Sequence, residues 1–135
     1  MPGSFIDTNV LVHLASGDAA KADRAEAAIA GGGAISVQVL NEITNVARRN
    51  MRMPWADARI FLTALRGLLT VYPVTLETHE TGLELAERYN FSIFDAMIAA
   101  SALQAGCDIL WSEDMQHAMT LDEGLRIVNP FYVGR

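Results

Sequence analysis

The chain has 135 residues, 51% of them hydrophobic and 19% charged, which is enough apolar surface to offset the entropy of ordering a single domain over residues 1–135 and excludes a disordered chain. A net charge of −6 excludes a protein that coats nucleic acid through overall positive charge, and the single cysteine, Cys107, excludes an intramolecular disulfide and a thiolate zinc framework. No apolar run reaches the ~20 residues needed to span a bilayer and Met1-Pro2-Gly3-Ser4 has no leader-like pattern, so a cytoplasmic protein with no membrane contact is expected.

Apolar runs bounded by turn residues alternate with stretches of helical period, which predicts an α/β domain with a mostly parallel sheet. The first strand is Ser4-Phe5-Ile6, ending at Asp7-Thr8-Asn9 and followed by a short helix over 10–14. An Ala-rich helix over 21–30 stops at Gly31-Gly32-Gly33. That triplet has no following Lys-Ser/Thr and precedes a strand, so it is a turn and not a phosphate loop. The second strand is Ala34-Ile35-Ser36, with Ser36 placed to cap a helix over 37–50. A helix over 54–67 with Pro54 in its first turn leads to a strand over 69–72, and Thr75 caps a helix over 76–89. A small-residue helix over 93–105 ends at Gly106, where Cys107 reads as a buried small apolar residue, and strands over 108–111 and 126–128 complete five.

Four carboxylates lie where strands end or helices begin. Asp7 closes the first strand, and either it or Asn9 can cap the short helix. Glu42 sits in the first two turns of its helix, where it also suits the macrodipole, and Asn45, Arg49 and Arg52 fall on its stripe. Asp95 is three residues after Ser92 in a capping-box position, yet it is flanked by apolar residues that make an uncompensated charge costly. Asp114 follows the apolar strand Ile109-Leu110-Trp111, where a turn role or a functional one for Glu113 are equally open.

In an open parallel sheet the carboxyl ends of the strands converge on one crevice, so these four acids together predict a hard-oxygen site for one or two Mg²⁺ or Mn²⁺ ions. Like charges brought close raise one another's pKa, and a divalent cation relieves that cost. His13, His79 and His117 are scattered and offer no zinc-like set.

The strings Phe5-Ile6-Asp7-Thr8-Asn9-Val10-Leu11, Ser36-Val37-Gln38-Val39-Leu40-Asn41-Glu42, Ser92-Ile93-Phe94-Asp95-Ala96-Met97-Ile98-Ala99-Ala100, Leu110-Trp111-Ser112-Glu113-Asp114 and Val128-Asn129-Pro130-Phe131 occur in the order found in PIN domains, and the chain resembles the VapC-like toxins of toxin–antitoxin pairs over nearly its whole length. The resemblance implies a three-layer α/β/α fold with a five-stranded parallel sheet flanked by helices. It implies metal-dependent endoribonuclease activity, a homodimer or larger assembly, and a cognate antitoxin. The family's acidic residues carry over onto Asp7, Glu42, Asp95 and Asp114, and its Ser/Thr-x-Asp motif onto Ser112 and Asp114.

On this reading the four acids hold the metal for hydrolysis of RNA, with Thr8, Asn9 and Ser112 orienting them. Arg48, Arg49 and Arg52 would draw in phosphates, or else form a solvated helix face. Trp55 either stacks on a base or packs in the core or a dimer interface, and Met51, Met53, Leu62, Leu65 and Leu68 suggest a surface for the antitoxin, with an intramolecular core as the competing account. The alternatives are a PIN-fold nuclease of RNA processing or DNA cleavage with no antitoxin, and a non-enzymatic α/β binding domain whose acids are helix caps. A phosphoryl-accepting signalling domain is disfavoured because no lysine follows the fourth strand.

Overall fold

The computed structural model describes residues 3–132. Among these, five strands, β1 (Ser4–Ile6), β2 (Ala34–Ser36), β3 (Thr70–Tyr72), β4 (Ile109–Trp111) and β5 (Arg126–Val128), alternate with the helices α1 (Thr8–Leu11), α2 (Ala19–Ile29), α3 (Val37–Arg49), α4 (Trp55–Leu68), α5 (Leu76–Tyr89) and α6 (Ile93–Gln104). All strand pairings are parallel, in the order β3-β2-β1-β4-β5, with Phe5 opposite Leu110 and Ile6 opposite Trp111. Successive strand side chains point to opposite faces, and both Phe5 and Ile6 are fully buried, so each face of the sheet is covered by helices in a three-layer α/β/α arrangement.

Local chemistry sets the boundaries. The side chains of Ser36, Thr75 and Ser92 accept from the backbone N–H groups of Val39, Thr78 and Asp95, capping α3, α5 and α6 as the sequence predicts. Asp18 caps α2 by accepting from Lys21 N–H at 3.1 Å, which moves the start of that helix ahead of the expected residue 21 to Ala19. The short helix begins at Thr8 and tightens into a 3₁₀ turn over Val12–Ala15, and Pro54 is the cap of α4 instead of part of its first turn. A second 3₁₀ turn at Asp122–Gly124 was not foreseen; Glu123 and Gly124 both take positive φ there.

Helix α3 buries Val39, Ile43 and Ala47 at four-residue spacing, as an amphipathic helix must, whereas α6 is buried without a break from Ala96 to Ala102. Its small side chains let α5 come close: a Cβ added at Gly82 of α5 would stand 2.7 Å from Met97 Sδ. Cys107 is half-buried against the core, where burial pushes its thiol pKa up. No helix among the described residues is long and apolar enough to cross a membrane.

The glycine triplet is a turn. Gly33 takes φ +149, and an added Cβ would lie 2.5 Å from Ile6 Cδ1 and 3.2 Å from the Ser4 carbonyl oxygen of the neighbouring strand. Ile6 can move, but the strand backbone cannot, so Gly33→Ala is expected to destabilise the fold by about 1–3 kcal/mol, read as a fall in melting temperature of several degrees.

Candidate active site

The strand order reverses direction at β1: the chain builds outward through β2 to β3, then returns to lay β4 on the other side of β1. Such a reversal opens a crevice beyond the carboxyl ends of the strands. The backbone continues the ladder across it, since Asp7 N–H donates to the Trp111 carbonyl at 2.9 Å and Ser112 N–H to the Val128 carbonyl at 3.0 Å. Asp7 and Ser112 are therefore held side by side at the end of the sheet.

Asp7 is only 5% exposed. One carboxylate oxygen accepts from Thr8 N–H at 2.7 Å; the other accepts from Ser112 Oγ at 2.8 Å and Asn9 Nδ2 at 3.3 Å. Asp7 is thus the cap of α1 and also the innermost acid of the site, so the two readings of it are compatible. Burial pushes its pKa up to about 7; the hydrogen bonds from Ser112 and Thr8 oppose this, and the charges of Asp95 and Glu42 add to it.

Glu42 reaches the same cleft from α3, accepting from Thr8 Oγ1 and, on its other oxygen, from Gln38 Nε2 at 3.1 Å. Gln38 was not singled out from the sequence, although a polar residue one turn before Glu42 on the same face is the available signal. It also donates to the Phe94 carbonyl at 3.3 Å, which ties α3 to the start of α6 beside Asp95. The Asp95 carboxyl is raised above its usual pKa by burial first, then by Asp114 and Glu42, against a lowering hydrogen bond from Ser92. Asp7, Glu42, Asp95 and Asp114 line one open cleft of about 420 Å³, joined by Asn45.

Glu113 goes elsewhere. Its carboxylate binds His13 Nε2 and Lys21 Nζ, each at 2.9 Å, while its backbone N–H donates to Asn9 Oδ1 at 2.9 Å. Burial raises its pKa, but the hydrogen bonds from Lys21 and His13 outweigh this and hold it below the ordinary glutamate value. Phe131 packs on the edge of His13 at 4.7 Å and lies 5.3 Å below the Lys21 ammonium. The neighbouring Asp114 is left to face the cleft. Glu113→Gln, which keeps the shape but removes the charge that Lys21 pairs with, is expected to lower the affinity of the cleft for Mg²⁺ by several-fold while leaving the far-ultraviolet circular dichroism unchanged.

The donor set is all oxygen, a chemistry that suits Mg²⁺ or Mn²⁺, and Asp7 and Asp95 are both held above their usual pKa by burial first and by neighbouring carboxylates. As the side chains stand, no three Asp, Glu, His or Cys groups among the described residues are close enough to hold one ion together. His117 Nδ1 instead accepts from Asn129 N–H at 3.0 Å.

The arginines divide. Arg48 is half-buried, donates from Nη1 to the Met53 carbonyl at 2.7 Å, and lies 4.2 Å over the Trp55 ring. Arg49 is exposed near the end of α3. Arg52 lies beyond the helix with φ 55, so it does not continue the stripe of Glu42, Asn45 and Arg49; α3 stops at Arg49 and the chain turns. Trp55 is 57% exposed at the first residue of α4, where Pro54 starts the helix at the surface, and so is not a core residue of the chain. The expected apolar stripe splits as well: Leu65 is buried in the core, Leu62 half-buried against it, and Leu68 exposed.

The family model for the PIN domain matches residues 4–122. No curated protein matches significantly. Among solved structures, the chain is similar to a toxin–antitoxin complex from Klebsiella pneumoniae, with 21% identity over 97% of this chain and 100% of that one and a TM-score of 0.75. It is similar to VapC20 of Mycobacterium tuberculosis, a toxin that cleaves the sarcin–ricin loop, with 24% identity over 83% and 90% of the two chains and a TM-score of 0.67. It also resembles VapBC2 from Rickettsia felis bound to a fragment of promoter DNA, with 18% identity over 82% and 87% and a TM-score of 0.61.

Proposed function

The chain belongs to the PIN-domain family, and from that premise we propose that it is a metal-dependent endoribonuclease of the cytoplasm, the toxin of a toxin–antitoxin pair. The observation that carries the reading is the convergence of Asp7, Glu42, Asp95 and Asp114, from four separate segments, on one open cleft at the reversal of the sheet. Of the four only Asp7 caps a helix, since α3 and α6, which carry Glu42 and Asp95, are capped by Ser36 and Ser92, so capping does not account for the cluster. The likeness in fold to a toxin–antitoxin complex and to VapBC2 supports the antitoxin partner, and the free protein would be a homodimer, the commonest closed oligomer.

The four carboxylates would hold one or two Mg²⁺ or Mn²⁺ ions. A divalent cation supplies, when bound, Lewis-acid activation of water and neutralisation of phosphate charge. Thr8 fixes Glu42, and Ser112 and Asn9 fix one oxygen of Asp7, which would leave the remaining lone pairs for a cation. Arg48 and Arg49 supply the local positive field that an acidic chain otherwise lacks, which lets a polyanion approach. Hydrolysis by water leaves 5′-phosphate and 3′-hydroxyl ends on the RNA.

The test is incubation of cellular RNA with purified protein, with Mg²⁺ or Mn²⁺ and with EDTA, alongside Glu42→Gln and Asp95→Asn variants checked for folding by circular dichroism. Discrete cuts are expected only with metal, falling by more than about a hundredfold in each variant, since loss of a direct ligand exceeds the ten- to hundredfold typical of a supporting residue. Metal-independent cutting, or cutting that survives both substitutions, would remove the reading.

A further inference from the structure

Beside the carboxylate cleft lies a cavity with an aromatic residue in its lining. Asn45, which lines the cleft, also lines a second open cavity of about 420 Å³ together with Asn41, Thr44, Arg48, Arg49 and Trp55. The two cavities therefore adjoin at Asn45, the first lined by acids and the second by basic and aromatic side chains.

Trp55 is an unusual residue to leave open in water, and its setting explains how it is held. It begins α4 directly after Pro54, whose φ of −59 is fixed by its ring. The Arg48 guanidinium is 4.2 Å from the ring centroid and is itself fixed by the bond to the Met53 carbonyl. The indole is thus propped by a cation while more than half of the residue's surface stays exposed. Such a ring is pre-organised for a second planar group, because the entropy of orienting it has already been spent. The rest of the lining is polar: Asn41 and Asn45 carry amides that both donate and accept, and Arg49 carries an exposed charge suited to a phosphate. An apolar partner helix would leave those amides unpaired, whereas a nucleotide satisfies base edge, base face and phosphate together.

Building on the nuclease reading, we propose that Trp55, propped by Arg48, is a stacking platform for a single-stranded nucleobase of the RNA substrate next to the scissile phosphate, with Asn41 and Asn45 at the base edge and Arg49 at the backbone. Trp55 binds substrate and takes no part in bond cleavage.

Two readouts test it. In steady-state cleavage of an RNA that the wild type cuts, Trp55→Ala is expected to raise KM by roughly five- to hundredfold, the range for losing one base–aromatic stack, with kcat nearly unchanged, and Trp55→Phe to recover most of the loss. Without chemistry, titration of Asp95→Asn protein with a short single-stranded oligoribonucleotide in Ca²⁺ should quench tryptophan emission, and Trp55→Phe in that background should remove most of the quench although Trp111 remains. Trp55→Ala cleaving at the wild-type KM while Asp95→Asn is inactive would overturn the platform and leave the nuclease reading intact. Quenching and binding by a protein that cuts no RNA would support the platform and overturn the nuclease reading. Unchanged RNA affinity in Trp55→Ala, with loss of binding to a partner protein, would assign the ring to a protein interface and overturn the proposal.

Discussion

Asp7→Asn is expected to abolish RNA cleavage and, in EDTA at pH 8, to melt at a higher temperature than the wild type. The two effects have one cause. Asp7 is 5% exposed, and burial pushes its pKa up to about 7, so at pH 8 the metal-free protein keeps an ionised group where water cannot solvate it. An amide removes that charge. Its oxygen can still accept from Thr8 N–H, and the Ser112 hydroxyl can turn to accept from its nitrogen, so only the contact with Asn9 is lost outright. The net gain should raise the melting temperature by several degrees, while cleavage falls by more than about a hundredfold because the innermost ligand is gone. A variant that is both inactive and less stable than the wild type at pH 8 would show that Asp7 serves the fold and not a cation.

The metal-free wild type should lose stability as pH rises between about 4 and about 7. An acid whose folded pKa lies above its unfolded value holds its proton more tightly when folded, so its contribution is complete below the unfolded value of 3.8 and is lost as pH climbs through the folded value of about 7. For Asp7 the full change is on the order of 4 kcal/mol, and the raised pKa of Asp95 acts in the same direction. Glu113 opposes them: its lowered pKa gives stability above its unfolded value that is lost on acidification, but it is partly exposed and its share is small. Thermal melts of wild type and Asp7→Asn from pH 4.5 to 8 in EDTA isolate the Asp7 contribution as the difference between the curves. Mg²⁺ should restore the loss at pH 8, where the carboxylates are ionised, and have little effect near pH 4.5. A pH-independent difference between the two proteins would contradict the argument.

The strands and most helices were legible because their signals are local. Ala34-Ile35-Ser36 and Arg126-Ile127-Val128 are apolar runs that stop at turn residues, and the Ser36, Thr75 and Ser92 hydroxyls cap helices from within their own segments. The four acids were legible from their places at element ends combined with the rule that parallel strands share an edge. What escaped depends on contacts across the fold. That Glu113 turns to His13 and Lys21 is decided by α2 and the preceding 3₁₀ turn, about a hundred residues away in the chain. That Arg52 leaves the Glu42 stripe follows from the helix end near residue 50, read correctly from the sequence, and from the positive φ of Arg52 in the turn beyond it, which the stripe ignored. The exposure of Trp55 is likewise invisible to a pattern in which an aromatic among apolar residues reads as core.

The position of β4 beside β1 decides when in synthesis the carboxylate cleft can form. Asp7 is made near the start of the chain, yet the Trp111 carbonyl and the Ser112 hydroxyl that hold it are made more than a hundred residues later. A growing polypeptide that has reached only α6 possesses three of the four acids but has nothing to seat them against. The cleft is therefore completed late, because Asp7 gains its full set of partners only once the fourth strand lies next to the first.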